Sequence, residues 1–180
     1  MILAVYFYSG ILLCTDILSR GIDIENVDWV VQYDAPKSAS SFVHRCGRTA
    51  RCDREGDALI FLMPNEEAYI DFMLLNQRVP IKQFAESAGM KSGWEKTVRE
   101  IQAMASKERE FYEKGKVAFV SYIRAYTKHE CSHIFRVKEL DYVNMAAGFG
   151  LLHLPKMPEI KKFLEYKPFV EVDIKTIPYK

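Results

Sequence analysis

Two kinds of hydrophobic pattern follow one another along this chain. Residues 11–14 (Ile-Leu-Leu-Cys), 29–33 (Trp-Val-Val-Gln-Tyr) and 58–63 (Ala-Leu-Ile-Phe-Leu-Met) are short apolar runs bounded by Asp, Gly or Pro. Continuous apolar runs of that length predict strands covered on both faces, the pattern of a parallel sheet. Between the second and third runs, residues 38–46 predict a short helix with Ser38 as its N-cap and Gly47 ending it. Residues 66–77, after Pro64, predict another helix. Strand, helix, strand, helix is an α/β layer.

Between residues 84 and 93 Ala, Ser and Gly cluster, and a helical period takes over. Trp94, Val98, Ile101 and Ala105 recur at helical spacing. A longer helix over 108–126 carries Phe111, Ala118, Tyr122 and Tyr126 on one face, with Phe119 and Ile123 beside it. Gly115 sits mid-helix, where it costs about 1 kcal/mol relative to Ala, so it predicts close packing or a break. Residues 140–149 predict a shorter helix. From Leu154 onward the prolines predict an extended tail. The division this implies is 1–85 for the α/β part and 86–180 for a helical extension.

Composition narrows the class. Of 180 residues, 49% are apolar and 27% charged, which excludes collagen-like, coiled-coil and wholly disordered chains. The net charge of +1 gives no global attraction to nucleic acid. Residues 1–85 hold 8 basic against 11 acidic side chains, and residues 86–180 hold 17 against 13, so the second part is the better partner for a polyanion. Cys14, Cys46, Cys52 and Cys131 form no Cys-x-x-Cys pair. That removes the zinc-knuckle and thioredoxin patterns and leaves reduced thiols of a cytosolic or nuclear protein. The apolar opening run is interrupted at Asp16, short of the roughly 20 residues of a membrane helix, and no basic residue precedes it as a signal peptide requires. A chain that starts inside apolar core predicts a fragment or an unusual start site.

The candidate chemistry lies in His44-Arg45-Cys46-Gly47-Arg48-Thr49-Ala50-Arg51. If Gly47 ends the helix, Arg48 and Arg51 project from the turn beyond it. Guanidinium groups make bidentate bonds to phosphate oxygens, and two on one turn can clamp a phosphoryl group. The plainer reading is a solvated basic turn. A second stretch, Thr15 to Asp23, follows a predicted strand, where open parallel sheets place their ligands. In it Gly21 allows a tight turn and Asp23 can accept hydrogen bonds from a ribose.

These two stretches carry a resemblance. Arg20-Gly21-Ile22-Asp23 resembles motif V, and His44 to Arg51 motif VI, of the DEAD-box ATP-dependent RNA helicases; Tyr33-Asp34-Ala35-Pro36 matches the segment between them. The likeness runs from about Ser9 to Pro80. Residues 107–159, with Lys114-Gly-Lys and Leu154-Pro-Lys-Met-Pro-Glu159, resemble the C-terminal extension of a subgroup that serves large ribosomal subunit assembly in the nucleolus. The resemblance implies a partial RecA-like parallel-sheet domain followed by an α-helical extension. It implies that Thr15, Arg20 and Gly21 lie near RNA backbone or the domain interface, that Asp23 meets the ATP ribose, and that Gly21 belongs to the same nucleotide site. It further implies that His44 couples to the acidic motif of another domain, and that Arg48 and Arg51 reach the γ-phosphate. ATP with Mg²⁺ would be held mainly by that other domain. The implied partners are pre-ribosomal RNA and pre-60S particles, with no membrane, in the nucleus and nucleolus. Ala50 stands where many members have Gly; as a small residue it is expected to matter little. Neither Gly-x-x-x-x-Gly-Lys-Ser/Thr nor Asp-Glu-Ala-Asp occurs, so the chain alone is expected not to hydrolyse ATP. The alternative is a non-catalytic RNA-binding assembly factor.

Two features remain. His129-Glu130-Cys131-Ser132-His133 matches His-Glu-x-x-His, which on a helix puts two imidazoles on one face for zinc, with Glu139, His153 or Glu159 as a third ligand. Such short patterns recur by chance, and we expect no metal here. The extension also interleaves Lys107, Arg109, Lys114, Lys116, Arg124, Lys128, Arg136 and Lys138 with Phe111, Tyr112, Tyr122 and Tyr126. Basic groups neutralise phosphates and aromatics stack on bases, but at helical spacing Phe111, Phe119, Ile123 and Tyr126 are expected in the core. Arg124 and Lys128 are the RNA candidates retained.

Overall fold

The computed structural model describes residues 10–16, 24, 26–84, 93–160 and 173–179. It divides into two compact units, residues 1–62 and 63–180, ahead of the change of pattern at residue 85.

In the first unit, β1 (Trp29–Gln32) and β2 (Asp57–Ile60) pair in parallel, with Trp29 opposite Asp57 and Gln32 opposite Ile60. The crossover between them carries α1 (Ala39–Cys46). Ser38 caps it, its hydroxyl accepting from the Ser41 N–H at 3.2 Å, and Gly47 closes it. Parallel strands need such a crossover, and the sequence placed it correctly. Two expectations fail. Residues 11–14 form no strand, and Ile11 and Leu13 are exposed. Nor are the strands covered on both faces: α1 packs on β1 and Gln32 is buried, while Trp29 and Val31 stay half exposed. An apolar run becomes a buried strand only where a neighbouring strand takes its backbone groups and a second layer takes its side chains. The described residues supply neither for residues 11–14.

The second unit contains α2 (Ala68–Gln77), α3 (Trp94–Ala105), α4 (Arg109–Thr127) and α5 (Tyr142–Gly148). Short 3-10 turns lie at Pro64–Glu66, Val137–Glu139 and Ile174–Thr176. The four helices fall within two residues of their predicted starts and ends. Helix α3 packs on α4 and α5. On α4 the buried positions are Tyr112, Phe119, Ile123 and Tyr126; Phe111 is half-buried and Ala118 faces solvent, so the buried stripe is rotated from the predicted one. Gly115 is there for close approach: a Cβ on it would stand 2.2 Å from the carbonyl oxygen of Phe149. Tyr69 and Met73 of α2 are fully buried in this unit, beside the aromatic group Tyr126, His129 and Phe135. The extended tail predicted after Leu154 is not what its described residues show: residues 155–160 form no helix but are packed, with Leu154, Met157 and Ile160 buried. Farther on, Ile177 enters a cluster with Ala105, Tyr112 and Leu152. Arg109 holds this returning segment: its N–H donates to the Pro178 carbonyl at 2.9 Å and its guanidinium donates to the Ile174 carbonyl.

Candidate nucleotide and RNA contacts

The arginine cluster sits where α1 hands over to the loop leading into β2. Its three arginines, alike in the sequence, have different surroundings. The Arg45 guanidinium donates to both Asp16 carboxylate oxygens, at 2.6 and 2.9 Å, and to the Asp34 carbonyl at 2.9 Å. It is a tie that draws the segment bearing Thr15 to the end of α1. Arg48 and Arg51 lie beyond the helix, half-buried. Each donates through Nε to the carbonyl four residues back, Arg48 to His44 at 3.3 Å and Arg51 to Gly47 at 2.9 Å. These bonds set the direction of both guanidinium groups, the preorganisation that phosphate recognition needs. His44 is exposed on the last turn of α1, and Thr15 is exposed as well. Arg20, Gly21 and Asp23 lie outside the described residues.

Sequence reasoning missed what holds this turn. Thr49, between the two outer arginines, is buried; its hydroxyl donates to the Val27 carbonyl and lies 3.2 Å from that of Asp28. It pins the arginine turn to the backbone leading into β1. Gly56 makes room for it, since a Cβ there would lie 2.0 Å from Thr49 Oγ1 and 2.8 Å from the Ala50 nitrogen. Ala50 has φ of 54°, in the left-handed region. The methyl group is therefore not neutral there: that conformation costs a non-glycine residue about 1 kcal/mol or more. No spacing rule marks Thr49, because its partners come from a distant part of the chain.

In the second unit the nominated basic residues divide. Arg109 pairs with Glu113 at 2.8 Å, Lys116 with Glu113 at 3.7 Å, Lys114 with Glu110 at 2.7 Å and Arg136 with Glu139 at 2.9 Å. Lys107, Arg124, Lys128 and Lys138 are exposed and make no ion pair among the described residues. The nominated aromatics are mostly core: Tyr112 and Tyr126 are buried, and Tyr122 packs its ring on Tyr126 and Phe149. The Tyr126 hydroxyl donates to the buried Glu66 carboxylate at 2.8 Å, whose other oxygen accepts from the Met63 N–H at 2.9 Å. Burial, reinforced by Glu66, pushes the Tyr126 phenol far above its ordinary pKa. Burial also raises the Tyr112 and Tyr142 phenols and, helped by Lys116, lowers His153.

The zinc pattern lacks its helix. Helix α4 ends at Thr127, and His129 to His133 follow in turns. His129 is buried, stacked on Phe135 at 3.8 Å, and its Nδ1 accepts from the Cys131 N–H at 3.0 Å. Among the described residues no group of three or more His, Cys, Asp or Glu could hold a metal ion, and no helix is long and apolar enough to cross a membrane.

A parallel β–α–β unit with an arginine turn between its helix and its second strand, followed by a helical unit with a basic face, is the order found by comparison. The family model for the helicase conserved C-terminal domain matches residues 7–53, and that for the ATP-dependent rRNA helicase SPB4-like C-terminal extension matches residues 108–157. The chain belongs to the DEAD-box RNA helicase family. It is 51% identical over 174 residues to ATP-dependent RNA helicase DDX55 of Mus musculus, covering 96% of this chain and 28% of that protein. It is 44% identical to DEAD-box ATP-dependent RNA helicase 18 of Oryza sativa subsp. japonica, over 96% and 26% of the two chains. The chain thus spans about a quarter of the length of these relatives. Among solved structures it resembles Mss116p bound to ssRNA and AMP-PNP, with TM-score 0.56 and 27% identity over 79% of this chain and 26% of that one. Mss116p DEAD-box helicase domain 2 bound to an RNA duplex gives the same score and covers 52% of that chain. RecA-like helicase domains are therefore the fold neighbours, and the α/β class read from the sequence holds.

Proposed function

We propose that this chain is the nucleotide-sensing and RNA-contacting part of an ATP-dependent helicase that remodels pre-ribosomal RNA during large-subunit assembly. The observation that carries the reading is the presence, in one chain, of the helicase conserved C-terminal domain and an extension of the rRNA helicase SPB4-like type. Arg48 and Arg51, aimed by carbonyls of their own turn, would contact the γ-phosphate of ATP across a closing cleft, with His44 beside them and Gly21 and Asp23 at the ribose. Thr15, Arg20 and Gly21 would meet the RNA backbone. ATP bound by another domain would then be hydrolysed only when the two domains close, which couples turnover to RNA. The Mg²⁺ that accompanies ATP belongs with the P-loop and acidic motif, which this sequence does not contain. By this reading the chain alone does not hydrolyse ATP, and its place is on pre-60S particles in the nucleolus.

The test is reconstitution. The chain should show no RNA-stimulated ATPase alone and should gain it when mixed with a separately produced domain of a relative that bears the P-loop and acidic motif. Arg48→Lys and Arg51→Lys should each lower that activity by a factor on the order of 10³, the scale of lost arginine fingers, while RNA binding by the chain persists. Turnover by the chain alone, or full activity in both variants, overturns the assignment. Co-sedimentation with pre-60S particles in fractionated nuclei tests the location.

A further inference from the structure

Among the described residues, helix α4 has one face without a protein partner, and its composition is specific. From Lys114 to His129 the chain carries Lys114, Lys116, Arg124 and Lys128 and no acidic residue. Ser121, Arg124, Ala125 and Lys128 are all exposed, and their spacing puts them on one side of the helix. Arg124 and Lys128 stand one turn apart, about 6 Å along the axis, with no ion pair among the described residues. Between and before them Ala118, Ser121 and Ala125 are short, so a polyanion can come close to the helix. Lys138 is exposed on the 3-10 turn that packs against α4. Among the described residues no aromatic ring completes the Ser121–Lys128 stretch of this face. Phe119 and Tyr126 point into the core, and Tyr122 is engaged by Tyr126 and Phe149. The exposed ring of Tyr179 lies beside Glu110, Lys114, Val117 and Ala118, on the N-terminal side of that stretch.

Deepening the RNA reading above, on which it rests, we propose that the Ser121–Lys128 face of α4 binds the backbone of an RNA duplex, by phosphate contacts and without base stacking. A surface with cations and no stacking platform gains from phosphate density, and a duplex offers two strands of phosphates to it. The minor groove of A-form RNA is wide and shallow and displays 2′-hydroxyls; a helix face of short side chains with one hydroxyl, Ser121, suits it. Single-stranded readers do the reverse and lay bases on aromatic rings.

The experiment uses the whole 180-residue chain in anisotropy titrations over a range of salt. The probes are a blunt RNA duplex, a uridine strand and an adenosine strand, all with equal numbers of phosphates. The duplex should bind tightest, and the two single strands should bind alike despite their different stacking strength. Arg124→Glu combined with Lys128→Glu should cut duplex affinity on the order of tenfold at low salt and lower the slope of log affinity against log salt by about two. Both sites are exposed, and an unchanged circular dichroism spectrum confirms the fold. Tyr179→Ala should leave duplex binding unchanged. Preference for the adenosine strand, an unchanged salt slope in the double variant, or loss of binding in Tyr179→Ala each overturns this proposal while the RNA reading stands. No binding of any RNA by the folded chain overturns both.

Discussion

Replacing Tyr126 by phenylalanine removes one oxygen atom and isolates one hydrogen bond. In the native unit that oxygen donates to Glu66 at 2.8 Å. Glu66 is 4% exposed, so water cannot replace the lost donor. Of its two oxygens one would keep the Met63 N–H, and the other would be left without the phenol. A bond to a charged group contributes about 1.5–3 kcal/mol, and stranding a buried acceptor puts the loss toward the upper end. For a unit of this size a loss near 2 kcal/mol lowers Tm by roughly 5–10 °C. Thermal and urea unfolding of the wild type, Tyr126→Phe, Glu66→Gln and the double variant would give a complete cycle. A coupling energy of about 1 kcal/mol or more between the two sites is the expected result. A single-variant loss under about 0.5 kcal/mol, or strictly additive losses, would refute the claim that this pair fastens the Met63–Glu67 segment to α4.

The same unit has an alkaline signature. Burial raises the Tyr112, Tyr126 and Tyr142 phenols, so above the unfolded value of about 10 the folded chain holds more protons than the unfolded one. Stability should therefore be full below that pH and decline above it; a flat urea midpoint on raising the pH above 10 would contradict the burial. Gly115→Ala should gain at most the usual ~1 kcal/mol of helix propensity but force a methyl group into the Phe149 carbonyl. A net loss of about 1–3 kcal/mol is expected, as for overpacking, read as a fall in the urea midpoint. Gly56→Ala should destabilise the arginine turn through Thr49 and weaken nucleotide-dependent activity in the reconstituted enzyme. Ala50→Gly, by contrast, should raise stability by up to about 1 kcal/mol by relieving the left-handed backbone.

What the sequence by itself determined was local or carried by contiguous motifs. Ser38 and Gly47 bounded α1, the apolar runs at 29–33 and 58–63 gave the parallel pair, and the 3.6-residue period gave α3 and α4 within a residue or two. These follow from capping chemistry and side-chain periodicity, which act over a few residues. The arginine turn and the family were equally legible, because their residues are adjacent in the chain. The tertiary structure decided the rest. Three equivalent-looking arginines became one tie and two aimed groups only because Asp16 and Asp34 meet Arg45 from distant positions. The apolar run at 11–14 is not a strand, since pairing needs a neighbour and the run carries no information about one. The His-Glu-x-x-His pattern lost its geometry when α4 ended at Thr127. Which cations face solvent unpaired, and which aromatics are core, depended on how α4 is rotated against α3 and α5. That rotation is set by long-range packing, around Gly115 and Tyr126, and a one-dimensional pattern fixes it only to within a residue or so.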